Sequence, residues 1–189
     1  MDTEQFRAVI ESAKAGEASG FEKLQGLYSR RLYGYFFRAT ASHHDAEDLL
    51  SDLMLRLVRT LSRYEHRGRF EPWLFRIAAN MVRDRIRRRK ARPTPISLSA
   101  QSDSGQTLGE QMPGRPVDID AEIQAGELSE SLQTALEGLD VTTREMILLR
   151  YFGEMSFKEL ADIFECPIGT VLARVHRGLK ALRKIMRRK

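Results

Sequence analysis

The sequence predicts an all-α fold: two small helical domains joined by a flexible linker, the C-terminal one a helix-turn-helix. Three observations carry that prediction. Apolar residues recur at three- and four-residue spacing toward both ends of the chain, as amphipathic helices require. No stretch alternates apolar and polar residues as a half-buried strand does. Residues 92–126 hold Pro93, Pro95, Pro113 and Pro116 among Gly, Ser, Gln and Asp, with no sustained period. Such a segment is too long and too polar for an ordinary internal loop. The expected organisation is therefore a domain over 1–91, a linker over 92–126 and a second domain over 127–189.

The elements follow in order. Phe6, Val9, Ile10, Phe21, Leu24, Leu27, Tyr28, Leu32, Tyr35 and Phe36 mark helices over residues 4–40, broken near Gly16–Gly20. Ser42 or Asp45 caps the next helix, and Ala46-Glu47-Asp48 places acidic groups at its positive end. Leu49, Leu50, Leu53, Leu57, Val58 and Leu61 form its apolar stripe. Gly68 interrupts, and Pro72 suits the first turn of a helix through Trp73, Leu74, Ile77, Ala78 and Met81. Trp73 shares the face of Ile77 and is read as a core residue. After the linker, Leu128, Leu132, Leu136 and Leu139 keep helical spacing. Thr142 or Thr143 caps a helix that ends at Gly153. Ser156 and Glu159 form a capping box. Cys166-Pro167 then separates that short helix from a last one through Val171, Val175, Leu179 and Leu182. Glu165 occupies a turn position that favours positive φ, where Gly is the easier residue.

Composition narrows the function. With 189 residues and 42% apolar content the chain can build packed cores. No apolar run reaches the roughly 18 residues that cross a bilayer, and the acidic start Met1-Asp2-Thr3-Glu4-Gln5 lacks a secretory pattern. A cytoplasmic protein without membrane insertion is expected. One cysteine offers no internal disulfide, and His43, His44 and His66 lack the partner spacing of metal ligands. They are read as surface or capping residues, and Cys166 as a small turn filler. With no nucleotide-binding loop, nucleophile elbow or paired carboxylates, neither an enzyme nor a cofactor is expected.

Charge is more informative than its net value of +5. Residues 83–92 carry seven basic side chains and one acidic, and residues 174–189 carry eight basic and none acidic. Between them, residues 101–130 carry seven acidic against one basic. Two concentrated basic blocks, each closing a patterned helical segment, predict two phosphate-contacting surfaces. The segment 156–180 adds a mechanism: a short helix, a tight turn, then a helix with Val171, Val175 and Leu179 inward. That leaves Thr170, Ala173, Arg174, His176, Arg177 and Lys180 outward, as a major-groove recognition helix needs.

Taken together, the two ends of the chain resemble the extracytoplasmic-function (ECF) group of bacterial RNA polymerase sigma factors, within the sigma-70 family. The resemblance is carried by Asp45-Ala-Glu-Asp-Leu-Leu-Ser-Asp-Leu-Met-Leu-Arg-Leu57, by Phe70-Glu-Pro-Trp-Leu-Phe-Arg-Ile-Ala-Ala-Asn80 with Asp84 and the arginine run, and by Ser156–Lys180 with Gly169-Thr170-Val171. It implies that the first domain docks on core RNA polymerase and reads the promoter −10 element, while the second reads the −35 element. Asp45, Asp48, Asp52, Arg56 and Arg59 would face polymerase. Asn80 and Asp84, one turn apart, would read bases, although Asp84 serves equally as an ion-pair partner of Arg88. Arg76, Arg83, Arg87 and Arg88 would hold the strand, with Tyr64, Arg67 and Phe70 in the base-capturing loop. Thr170, Leu172, Ala173, Arg174, His176, Arg177 and Lys180 would meet the −35 element. Where family members often carry a basic residue and then Ser, this chain has Leu172 and Ala173, so the family's −35 sequence is not transferred. An anti-sigma partner and a role in stress response belong to the same implication. The acidic linker and second-domain surface are expected to shade the basic faces of the free chain. The competing reading is a stand-alone helix-turn-helix regulator, which would leave the Asp45–Asn80 block without a purpose.

Overall fold

The computed structural model describes residues 2–65, 69–91 and 129–187. The linker expected at 92–126, together with His66 and Arg67, lies outside them. Among the described residues every regular element is a helix. Helix α1 is Thr3–Lys14, α2 Ala18–Thr40, α3 His43–Thr60 and α4 Phe70–Ala91. A single 3-10 turn, Leu61–Arg63, follows α3. The second group is α5 over 129–137, α6 Val141–Phe152, α7 Phe157–Phe164 and α8 Ile168–Met186.

Local chemistry sets the ends. Asp2 and Gln5 form a capping box on α1, and Ser42 rather than Asp45 caps α3, its Oγ accepting from Asp45 N at 3.2 Å. Neither Thr142 nor Thr143 caps α6. Asp140 does, its carboxylate accepting from Thr143 N at 3.0 Å. A charged oxygen at the positive end of the helix is the better acceptor. It leaves Thr143 free to be buried where α6 and α8 cross.

The first four helices bury Ile10, Leu24, Leu32, Tyr35, Phe36, Leu53, Leu74 and Phe75. Val58, expected in the stripe of α3, lies outward at 54% exposure. It lies about 100° round the helix from Leu57, outside the arc of Leu49, Leu53 and Leu57, which are all buried. In the second group, Val171 and Val175 of α8 pack inward as expected, with Leu149, Met155 and Leu160. Helix α8 crosses α6 closely at Gly178. A Cβ at 178 would stand 2.6 Å from Thr143 Cγ2 and 2.7 Å from Ile147 Cδ1.

The two groups do not stand apart. Helix α6 packs on both α2 and α4, and the buried apolar residues form one cluster running through all of them. The ring of Phe152 sits against Gly34, and Tyr35 meets it edge-on at 6.3 Å.

Two glycines make opposite predictions. Gly178→Val should lower stability by about 1–3 kcal/mol through overpacking. Gly26, on an exposed face of α2, has nothing within 4 Å of an added Cβ. Gly26→Ala should therefore raise stability by roughly 0.5–1 kcal/mol through helix propensity. Thermal melts of the two variants beside the parent check both signs.

Candidate polymerase and nucleic-acid interfaces

Helix α3 has two faces. Ala46, Leu49, Leu53 and Leu57 are buried, while Asp52, Leu55, Arg56, Val58 and Arg59 are exposed. Leu55 is 60% exposed, so this outer face combines apolar side chains with charges of both signs. An apolar centre with a polar rim is how a specific protein interface is built. Asp45 and Asp48, expected on the same face, are engaged elsewhere. Arg85 of α4 donates to Asp45 at 2.8 Å and lies 3.4 Å from Asp48. Those carboxylates fix the angle between α3 and α4 rather than standing free for a partner. Beside them, a groove of about 510 Å³ between the two helices is lined by Arg56, Arg59, Arg85 and Arg88 with Asp52 and Asp84.

The expected base-capturing aromatics are placed differently from the sequence reading. Tyr64 and Phe70 are buried, at 7% and 0% exposure. Phe70 meets Phe6 at 5.6 Å, Tyr28 at 5.4 Å and Tyr64 at 5.4 Å. Edge-on aromatic packing of this kind holds the rings in the core, so neither offers a face to a base in this conformation. Trp73 joins the same group, 4.5 Å from Tyr64, in keeping with its core reading. Beneath the group, Tyr28 donates to Glu71 at 2.6 Å, and burial, first of all, holds its hydroxyl well above the ordinary tyrosine range.

Helix α4 distributes the remaining residues by angle. Arg76, Asn80, Arg87 and Arg88 are exposed. Asp84 pairs with Arg87 at 2.9 Å rather than with Arg88. Arg83 turns toward the second group, its Nε 2.8 Å from Glu145 of α6 and its guanidinium 5.1 Å from the Phe164 ring.

The helix-turn-helix is assembled as the sequence requires. Ser156 and Glu159 complete their capping box, and Glu165 takes φ +49° with Cys166 N donating to Ala161 O. Thr170, Leu172, Ala173, His176, Arg177 and Lys180 are exposed on α8. Arg174 is half-buried and reaches Asp140 at 3.2 Å. Sequence reasoning missed Arg85, Leu55 and the residues that join the two groups: Arg31, Arg38, Glu145 and Phe152. The outward angle of Leu55 on the α3 wheel was available as a signal. The cross-chain partners had none.

Among the described residues no group of His, Cys, Asp and Glu is placed to hold a metal ion. No described helix is long and apolar enough to cross a membrane.

A first domain with a mixed-charge outer helix and a basic helix, joined to a helix-turn-helix, defines a DNA-directed protein that also binds a protein partner. The family models agree at both ends: Sigma-70 region 2 matches residues 24–92 and Sigma-70, region 4 matches residues 129–182. The ECF RNA polymerase sigma factor SigW of Bacillus subtilis is 30% identical over 178 residues, covering 94% of this chain and 95% of the relative. The RNA polymerase sigma-H factor of Pseudomonas aeruginosa is 24% identical, covering 97% and 94%. This chain belongs to the ECF sigma factors of the sigma-70 family. Solved structures share the fold. CnrH in complex with the cytosolic domain of CnrY aligns at TM-score 0.64 and 20% identity over 97% of each chain. The sigma factor RpoE of Bartonella quintana, in complex with the anti-sigma factor NepR, aligns at TM-score 0.61 and 20% identity, covering 88% of this chain and 96% of that one.

Asp140 offers a pH test of the second interface. Hydrogen bonds from Thr143, and then the nearby Arg174, hold its carboxyl below the ordinary range. A depressed carboxyl contributes stability that is present above its unfolded value and lost as pH falls through the folded one. Asp140→Ala should therefore lower the melting temperature at pH 7 and lose that effect as pH falls below the ordinary aspartate value and through the depressed folded one.

Proposed function

We propose that this chain is the promoter-specificity subunit of a bacterial RNA polymerase. It binds core polymerase, directs it to promoters carrying a −10 and a −35 element, and helps open the −10 region. The observation that carries the reading is the pairing of two basic helices, α4 and α8, on the two modules that the family models match in order.

The division of labour follows from side-chain placement. The outer face of α3, with Asp52, Leu55, Arg56, Val58 and Arg59, is the polymerase-docking surface. Asp45 and Asp48 support it through Arg85. Asn80 reads an unstacked base of the −10 strand, and Arg76, Arg83, Arg87 and Arg88 hold its backbone. Opening costs a few kcal/mol per unstacked base, so backbone contacts on the freed strand offset part of that cost. Tyr64 and Phe70 act as core residues beside Arg67 in the sequence, rather than stacking on bases themselves. On α8, Arg177, His176 and Lys180 contact the −35 duplex, while Leu172 and Ala173 present apolar surface to thymine methyls. The working units are residues 1–91 and 127–189, joined by 92–126. No step in this role needs catalysis by the chain itself, and the site of action is the cytoplasm. An anti-sigma partner fits the same picture: RpoE was captured in complex with the anti-sigma factor NepR, and CnrH in complex with the cytosolic domain of CnrY.

The test is run-off transcription from genomic fragments with core polymerase of the source organism. New start sites that depend on the protein establish the role, and their upstream sequences give both elements. A folded protein that binds DNA but neither core polymerase nor new start sites returns the reading to a stand-alone regulator. Within the same assay, Leu55→Asp should weaken core binding by about tenfold or more. Its melting temperature should stay unchanged, because Leu55 is exposed. Arg177→Ala should reduce the salt slope of promoter binding by about 1.

A further inference from the structure

The first two turns of α8 differ in composition from the rest of the helix. No charged side chain stands between Glu165 and Arg174, and the basic residues crowd into the C-terminal half. Ile168 and Leu172, one turn apart, are 49% and 43% exposed. Beside them on the outward side stand the small residues Gly169 and Ala173, both exposed. A Cβ at 169 would meet nothing within 4 Å. The core beneath α8 is already filled by Val171 and Val175, so the exposed apolar pair has no role in holding the domain together.

The arginines nearest this end are engaged elsewhere. Arg174 reaches Asp140 at 3.2 Å. Arg177 donates through Nε to Ala173 O of its own helix at 3.2 Å. Among the exposed residues of the first two turns, only Thr170 carries a hydrogen-bonding side chain. The N-terminal end of a recognition helix is the part that meets base edges in a major groove. A G·C pair placed there presents guanine N7 and O6 and the cytosine amino group, which would lose water against Ile168 and Leu172 and gain no partner. An A·T pair presents the one apolar group on a base edge in that groove, the thymine 5-methyl.

We infer that Ile168 and Leu172 are the residues that select the −35 element, and that they select it by thymine methyl groups. The two side chains are separated by about 6 Å along α8, against about 3.4 Å between successive bases. They therefore fit two thymines about two base pairs apart. The inference rests on the sigma reading and deepens it by naming the bases that the second domain takes. It also separates two ways of preferring A·T pairs. Runs of A·T can be chosen by duplex shape with no methyl contact at all. Contact by Ile168 and Leu172 requires the methyl itself.

The test begins with two selections. The full chain with core polymerase of the source organism selects from duplexes randomised over the −35 region of a promoter found by run-off transcription. The full chain alone selects from random duplexes at low salt. The expected site holds two thymines about two base pairs apart. Each is then replaced by deoxyuridine, which removes the methyl and keeps every hydrogen bond of the pair. Either replacement should weaken binding about fourfold, the worth of one buried methylene-sized group. Deoxyuridine between the two promoter elements should change nothing. In the Leu172→Ala chain one of the two deoxyuridine effects should vanish, and in the Ile168→Ala chain the other. Both side chains are exposed, so both variants should melt close to the parent. A merely structural role would not remove the thymine preference at one position and leave it at the other.

Three results overturn the inference: selected sites without thymine, deoxyuridine bound as tightly as thymine, or a deoxyuridine effect that persists in both alanine variants. An A·T preference that survives deoxyuridine assigns the element to duplex shape. If polymerase gives no start sites that depend on the chain, the sigma reading falls, and selection by the chain alone still decides the thymine contact. No enriched sequence in either selection overturns the inference as well.

Discussion

The contact on which the arrangement of the two domains depends is the entry of the C-terminal end of α6 into the first domain. Phe152 packs at Gly34 and against Tyr35, and Gly153 follows it under Phe75, where a Cβ would lie 3.0 Å from Phe75 Cβ. Two glycines and one aromatic ring let a helix end approach a helix side this closely. The approach brings the Phe152 carbonyl, left unpaired by the helix end, to the Arg31 guanidinium. Once α6 is seated, Glu145 two turns earlier is carried to Arg83, and α5 just before it to Arg38. The polar contacts are thus consequences of an apolar one. Hydrophobic burial supplies the attraction, and the charges decide orientation.

Helix α4 has the most constrained position in the molecule because its whole circumference is used. Leu74, Phe75, Ala78 and Val82 face the core. Arg85 ties it to α3, and Arg83 ties it to α6. Asn80, Arg76 and Arg88 remain for solvent or DNA. Neighbouring arginines on one helix therefore have unlike energetic roles despite identical chemistry. Arg85 holds two carboxylates within its own domain, and Arg88 is exposed. Arg83 sits between domains, paired with Glu145 of α6 and lying over the Phe164 ring.

What the sequence reveals follows from the range of the interaction involved. Helix periods, the Ser156–Glu159 capping box, the positive φ at Glu165 and the outward residues of α8 are set within a few residues of each other, and all are legible. The basic character of α4 and α8 is legible for the same reason. Asp140 is hidden as a cap because two threonines beside it are plausible on propensity, and the burial of Thr143 against Gly178 is a tertiary fact. Tyr64 and Phe70 read as loop aromatics because nothing local announces that Phe6 and Tyr28, over thirty residues away, complete their group. The junction is the extreme case: Arg31 and Phe152 are 121 residues apart. No periodicity or charge run points from one to the other.

The recognition helix carries its own physical problem. Ile168 and Leu172 are 49% and 43% exposed at its N-terminal end, the end that enters a major groove. Apolar side chains there contribute nothing to the domain's core, since Val171 and Val175 on the other face already fill it. Against DNA they become useful wherever thymine methyls line the groove, because contact removes water from both surfaces. They donate no hydrogen bond, so in the proposed role discrimination among bases by hydrogen bonding falls to fewer groups, chiefly His176 and Arg177. A helix of this composition draws most of its affinity from phosphate contacts along its basic C-terminal half, which is strongly salt-dependent and indifferent to sequence. Specificity must then come from holding two modest contacts at a fixed spacing on one duplex. In the proposed role that spacing is set on polymerase and not by α8 alone. In the proposed role the basic helix α4 and the apolar recognition helix are parts of one arrangement: each contact is weakly selective alone, and their separation on the duplex supplies the rest.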